Sequence, residues 1–240
     1  MQPPTIFNPR PRIDRVALDH GGHCFVIDDV LLDAEGLARW LSGQREAFRP
    51  VDFNAYPGIY MLPPPVIGQA VQDFFNLHLR GLFDARRLVH MESRFAMVTL
   101  PASALRPYQW LCHSDNFNLP PGVSIQASVL YLFGDESLGG TSFYEPAVEA
   151  ETIASLFADA SSMPAAAFSA RHGMEPGYMV GSNRWFRQVG SVPARFNRLV
   201  VYDGALLHTG DILAPERLSD DPATGRLTFN GFFTCRRNAA

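Results

Sequence analysis

Apolar residues recur along this chain with two different periods, and the period changes near residue 90. In the first third the spacing is helical. Asp33 stands where a carboxylate accepts from the free N–H groups of a first helical turn. Leu37, Trp40 and Leu41 follow at helical intervals, predicting a helix up to about Phe48. Ile67, Val71, Phe74, Phe75, Leu77 and Leu82 predict a second amphipathic helix over 66–83. The apolar run 24–32 reads as a short strand. Residues 1–22, rich in Pro and Arg, read as an irregular arm, and the proline-rich stretch 49–64 reads as a loop.

From there the grammar is that of strands. Residues 92–100, 108–113, 124–133, 141–144, 195–203 and 226–235 are short β-branched or aromatic runs separated by Gly, Pro or Asp. Residues 147–175 are helical in pattern, then Ala- and Ser-rich, with a long loop to about 190. This stretch reads as an insertion in a β core. Helices first and strands later predict one α+β unit over 1–240, with helical support from 23–87 and a β core over 88–236.

Composition narrows the chemistry. With 240 residues, 47% apolar and 18% charged, the chain suits a single domain with a large core. A net charge of −4 and a pI near 6.0 give no basic field for nucleic acid or an anionic membrane. All 20 basic residues are arginine, so Schiff-base, pyridoxal-phosphate, P-loop and kinase lysine chemistries are excluded. Cys24, Cys112 and Cys235 are far apart and form no C-x-x-C. A disulfide framework or thiolate zinc site is therefore not expected, and a reducing cytoplasm is. No apolar signal core opens the chain, and no apolar run reaches the ~20 residues of a membrane helix.

The informative tripeptide is His113-Ser114-Asp115, at the end of an apolar run. Side chains two apart on an extended segment share a face, so one imidazole and one carboxylate can aim at a common point. His208, ending the apolar segment 199–208, is the candidate third ligand. Two histidines and one carboxylate leave one side of a metal open, the arrangement of non-haem Fe(II) oxygenases. Downstream, Arg226, Thr228 and Asn230 share one strand face. An arginine with a hydroxyl two residues on suits a carboxylate. Serine-hydrolase and zincin readings fail for want of G-x-S-x-G and H-E-x-x-H.

These residues resemble the Fe(II)/2-oxoglutarate-dependent oxygenase superfamily, nearest its prolyl-hydroxylase-like branch, which includes an uncharacterised bacterial family. The resemblance runs over about 90–236. It rests on His113-Ser-Asp115, on Ser128-Val-Leu-Tyr131 with Gly139-Gly-Thr-Ser-Phe143, on His208, and on Arg226-Leu-Thr228. It implies a double-stranded β-helix (a jelly-roll, cupin-like core) with N-terminal helices packed outside. It implies that His113, Asp115 and His208 hold Fe(II). It also implies that Arg226 and Thr228 bind the distal carboxylate of 2-oxoglutarate, that Tyr131 hydrogen-bonds this cosubstrate, and that O₂ is the oxidant. The carboxylate at 115 favours hydroxylation over halogenation. The expected substrate is a small molecule, an amino acid or a peptide side chain. Arg217, nearer His208 in sequence, is a rival clamp.

Other features stay open. The basic stretch 171–198 (Arg171, Arg184, Arg187, Arg195, Arg198) reads either as a lid that meets an anionic substrate or as a surface that pairs with the acidic stretch 135–159. Cys112 reads as a packing residue. A non-catalytic β-helix that binds a metal or carboxylate ligand, and a cupin-like oxygenase or isomerase without 2-oxoglutarate, are the alternatives. Oligomeric state is not written in the sequence.

Overall fold

The computed structural model describes residues 6–50, 55–116 and 119–238. Parts of the predicted arm (1–5) and of the predicted 49–64 loop (51–54) therefore lie outside the described residues. The N-terminal arm is not wholly irregular: β1 (Asp14–Ala17) pairs antiparallel with β2 (His23–Ile27). The helix α1 (Ala34–Ser42) begins where expected, with Asp33 Oδ1 accepting from Gly36 N at 2.9 Å. It buries Ala34, Leu37 and Leu41 and ends near Gly43, short of Phe48. The second helix, α2 (Pro65–Phe74), starts on a proline, whose missing N–H costs nothing in a first turn. A wider turn and a tighter one carry it on to Phe83, so the predicted helical span is filled.

The proline-rich stretch, predicted as loop, holds two short strands. These are β3 (Arg49–Pro50) and β4 (Gly58–Met61), at the edge of a sheet, where proline is tolerated because no donor is needed outward. The longer strands are β5 (Ala85–Val98), β6 (Val123–Tyr131), β9 (Arg198–Asp203) and β11 (Leu227–Arg237). They build an antiparallel sheet of order β1-β2-β9-β6-β11-β5-β4-β3 among the described residues. A smaller sheet, β10-β7-β8, is made by β7 (Thr141–Pro146), β8 (Phe186–Val192) and β10 (Leu207–Gly210). Strand β8 lies where a loop was expected.

Alternation divides the large sheet. On β11, Leu227, Phe229, Phe233 and Cys235 enter a core shared with α1 and α2, where Phe75 stacks on Phe233 with ring centroids 4.0 Å apart. Each such buried side chain contributes about 1.5–3 kcal/mol. The opposite face of β11 looks toward the small sheet, and Phe143 of β7 meets Tyr202 of β9 edge-on across the gap. The insertion supplies α3 (Ala150–Ser162) and α4 (Ala165–His172), which cover Trp110, Leu111 and Cys112. Cys112 thus packs as expected. Among the described residues, no helix is long and apolar enough to cross a membrane.

The predicted strand 108–113 does not form. Pro107–Trp110 is a 3-10 turn, seeded by the proline, and among the described residues the segment joins the small sheet through an isolated bridge between His113 and His208.

Asn197 ties the two halves together. In the left-handed region at φ 61°, it accepts from Leu31 N and donates to Leu31 O through its side chain, both at 2.9 Å. Its own N–H donates to Tyr131 O at 2.9 Å. Asn197→Ala loses two buried hydrogen bonds and adds strain at positive φ, an expected cost of about 2–4 kcal/mol in urea unfolding. Asn197→Gly, free of the strain, is expected to fall between that variant and the wild type.

Candidate active site

His113, Asp115 and His208 meet although 95 positions separate the two histidines, and the backbone brings them together. His113 N donates to His208 O at 2.9 Å, and His208 N to His113 O at 2.8 Å. Asp115 N donates to Gly204 O at 2.8 Å, and Gly204 N to Ile125 O at 2.8 Å, which fixes the segment against β6. Ser114 Oγ donates to the same Gly204 carbonyl at 2.9 Å. One ligand atom from each of the three side chains lies within 4.8 Å of the others.

His208 Nδ1 lies 2.9 Å from Leu206 O, and a carbonyl only accepts, so Nδ1 donates and Nε2 is the nitrogen turned to the cluster. Nε2 lies 3.4 Å from Asp115 Oδ2, which is buried and has no hydrogen-bond partner. A buried carboxylate oxygen without a hydrogen bond is costly, and a cation held between it and the imidazoles supplies the missing partner. Burial, with His208 as a second cause, holds the His113 imidazole down to about 4, while Asp115 acts the other way. The ring is open on one side, but into a walled cavity. A neutral imidazole is the metal-binding form. The donor set of two nitrogens and one oxygen fits a borderline divalent ion such as Fe(II).

The cavity, about 450 Å³, lies between the two sheets. Arg226, Thr228 and Asn230 all line it, as strand alternation predicts. Arg226 is buried, and among the described residues no acidic side chain pairs with it. Its Nε donates to Leu138 O and Gly139 O at 3.1 Å, and its Nη2 to Gly140 O at 2.7 Å. Nη1 is left for a ligand. Gly139 makes this cradle possible: it sits at φ 83°, and a Cβ there would lie 1.5 Å from Asp211 O. A Cβ on Gly210 would lie 3.5 Å from Arg226 Nη2. The guanidinium therefore abuts β10 two residues beyond His208, a strand distance of about 7 Å.

Tyr131 and Thr228, the other expected cosubstrate contacts, both bond within the protein. Tyr131 does not line the cavity; it is fully buried, its hydroxyl is 2.7 Å from Thr141 Oγ1, and Arg226 lies 6.0 Å from its ring. Thr141, not Tyr131, reaches the cavity surface. Thr228 reaches the cavity, but its hydroxyl donates to Ala96 O at 3.3 Å. The rival Arg217 lies outside the cavity, half exposed and paired with Asp135.

The basic stretch does not converge on the site. Arg171 pairs with Asp159, Arg187 with Glu145, and both Arg195 and Arg198 with Asp28. Arg184 stacks on Trp185 at 4.5 Å. From this segment Tyr178 reaches the cavity, its hydroxyl donating to Leu100 O at 2.6 Å. Sequence reading missed Tyr56, Tyr60 and Arg94, which also line the cavity. The alternation of His90, Glu92 and Arg94 along β5 was the available signal; nothing local marks Tyr56.

Asp115→Asn removes the carboxylate charge from the donor set. It is expected to abolish the rise in melting temperature that Fe(II) or Ni(II) gives the wild type.

No curated protein matches the sequence. Among solved structures, SnoK, a non-haem α-ketoglutarate-dependent carbocyclase from nogalamycin biosynthesis, is 14% identical, with 90% of this chain and 83% of that one aligned and a TM-score of 0.52. A prolyl-4-hydroxylase of Pseudomonas putida is 20% identical over 87% and 89%, with a TM-score of 0.46. HygX of Streptomyces hygroscopicus with iron bound is 14% identical over 88% and 81%, with a TM-score of 0.49. At such identities the SnoK match is a likeness of fold. At the level of sequence, a model described as "Family of unknown function (DUF6445)" matches residues 9–233, and the chain belongs to that family.

Proposed function

We propose that this protein is an Fe(II)- and 2-oxoglutarate-dependent oxygenase that hydroxylates a C–H bond of a small molecule or amino-acid side chain. One observation carries the reading: a two-histidine, one-carboxylate cluster and a buried arginine without an acid share one cavity. In this reading the two facing sheets are a double-stranded β-helix. SnoK, whose name describes a non-haem α-ketoglutarate-dependent carbocyclase, is similar in fold, which is consistent with this reading.

His113, Asp115 and His208 would hold the iron, and all three line the cavity. Arg226 Nη1 takes the distal carboxylate of 2-oxoglutarate; a buried guanidinium and a carboxylate neutralise each other where neither alone is tolerated. Thr228 sits two residues along the same face and can exchange its long bond to Ala96 for one to the cosubstrate. With iron bound, O₂ and 2-oxoglutarate supply the oxidation: one oxygen atom enters the substrate C–H bond, the other enters succinate, and CO₂ is released. The apolar walls from Val98, Leu111 and Val129 exclude water from the reaction.

Anaerobically loaded with Fe(II), the protein is expected to convert 2-oxoglutarate to succinate once O₂ is admitted, and His113→Ala to lose this turnover. Unchanged succinate formation by His113→Ala would remove the iron assignment. Arg226→Met is expected to weaken 2-oxoglutarate binding by calorimetry roughly ten- to hundredfold, the equivalent of a charge-assisted hydrogen bond of about 1.5–3 kcal/mol. Arg217→Ala is expected to leave that affinity unchanged; the reverse ranking would move the clamp to Arg217.

A further inference from the structure

The cavity holds a second arginine that the cosubstrate does not use. Arg94, on β5, has a side chain only 13% exposed. Its guanidinium lies between two aromatic rings, 5.0 Å from the centroid of Tyr60 and 4.8 Å from that of Phe232. This sandwich fixes the planar fork and leaves its edge for a planar acceptor. One acid touches it, Glu92, through a single 3.4 Å contact at a side chain 61% exposed. Such a rim pair is weak and leaves most of the guanidinium donors for a ligand.

Directly across the strand pair stands Asn230, the register partner of Arg94 on β11. Asn230 lines the cavity, and its Oδ1 is buried without a hydrogen-bond partner. An unmet buried acceptor beside a held cation describes a ligand that brings an anion and a donor together. Arg226 lies four residues before Asn230, just ahead of β11, a backbone distance of about 13 Å. The triad leans on β6 through Gly204 and Ile125, and β5 lies two strands from β6, about 10 Å away. That separation suits an amino-acid-sized molecule held by its head at Arg94 with its side chain directed toward the metal.

Building on the oxygenase reading, we infer that the primary substrate is a small carboxylic acid with an N–H next to its carboxylate. It is an amino acid or an N-acylated amino acid, its carboxylate on Arg94 and its N–H on Asn230 Oδ1. Arg94 and Asn230 are specificity-determining residues.

The test uses the full chain with Ni(II) and the inert N-oxalyl analogue of 2-oxoglutarate in place. The probes are the common amino acids and their N-acetyl derivatives, each as the free acid and as the primary amide. By calorimetry, at least one free acid is expected to bind, with its amide roughly tenfold or more weaker. In Arg94→Gln acid and amide are expected to bind alike, and Arg94→Lys to keep part of the preference. Equal binding of acid and amide by the wild type, or no binding by any free acid, overturns the inference, and this comparison stands even if an Arg94 variant fails to fold. Failure of the wild type to bind Ni(II) or the cosubstrate analogue overturns instead the oxygenase reading beneath it.

Discussion

Two main-chain hydrogen bonds, His113 N to His208 O and His208 N to His113 O, hold the chemistry of this molecule in place. They join a segment with no regular secondary structure to the end of a strand in the small sheet. Because they use backbone groups, the imidazoles line the cavity with their rings 4.5 Å apart, that of His208 oriented by the bond from Nδ1 to Leu206 O. Asp115 is set by a second pair of backbone contacts through Gly204 to Ile125. The side chains so held leave one group unmet: Asp115 Oδ2, 3.4 Å from His208 Nε2, is buried without a hydrogen bond. Folding energy from the cores on either side keeps this arrangement assembled, and a cation relieves it.

The two faces of β11 divide these tasks. Leu227, Phe229, Phe233 and Cys235 pack on the helices, and the even-numbered residues Thr228 to Thr234, with Arg226 just ahead of the strand, line the cavity. A single strand thus anchors the core and presents an arginine, a hydroxyl, an amide and an aromatic ring at strand-repeat intervals. Its neighbour β5 repeats the device with Glu92 and Arg94. The cavity therefore has an ordered charge pattern: a guanidinium held by carbonyls at one end and another held by aromatic rings farther along. Neither is neutralised by a buried acid, and both point to anionic ligands.

Sequence alone determined more of this than local pattern usually does. Capping by Asp33, the apolar faces of the two helices, and the strands 124–133, 195–203 and 226–235 follow from short-range physics: cap geometry, a 3.6 period and a 2.0 period. The same 2.0 period placed Arg226, Thr228 and Asn230 on one face. What failed was also local. Residues 108–113 are apolar enough for a strand, but Pro107 seeds a turn there; the prolines of 49–64 hid two edge strands, and β8 was lost in a long irregular stretch.

Tertiary structure decided which of the candidate side chains work together. Nothing in the order of residues says that Arg217 pairs with Asp135 at the surface while Arg226 enters the cavity, or that Tyr131 lies one layer beneath it against Thr141. Nor does it say that the arginines of 171–198 are each taken up by acids or stacking far from the site. Arg94 is one of 20 arginines in the sequence and becomes distinctive only when Tyr60 and Phe232 close on it from other strands. The periodicity of a strand is written in adjacent residues, whereas proximity between distant ones depends on how sheets twist, pair and stack. The chain itself specified the kinds of chemical groups present, and only the packing of two sheets settled which of them share a cavity.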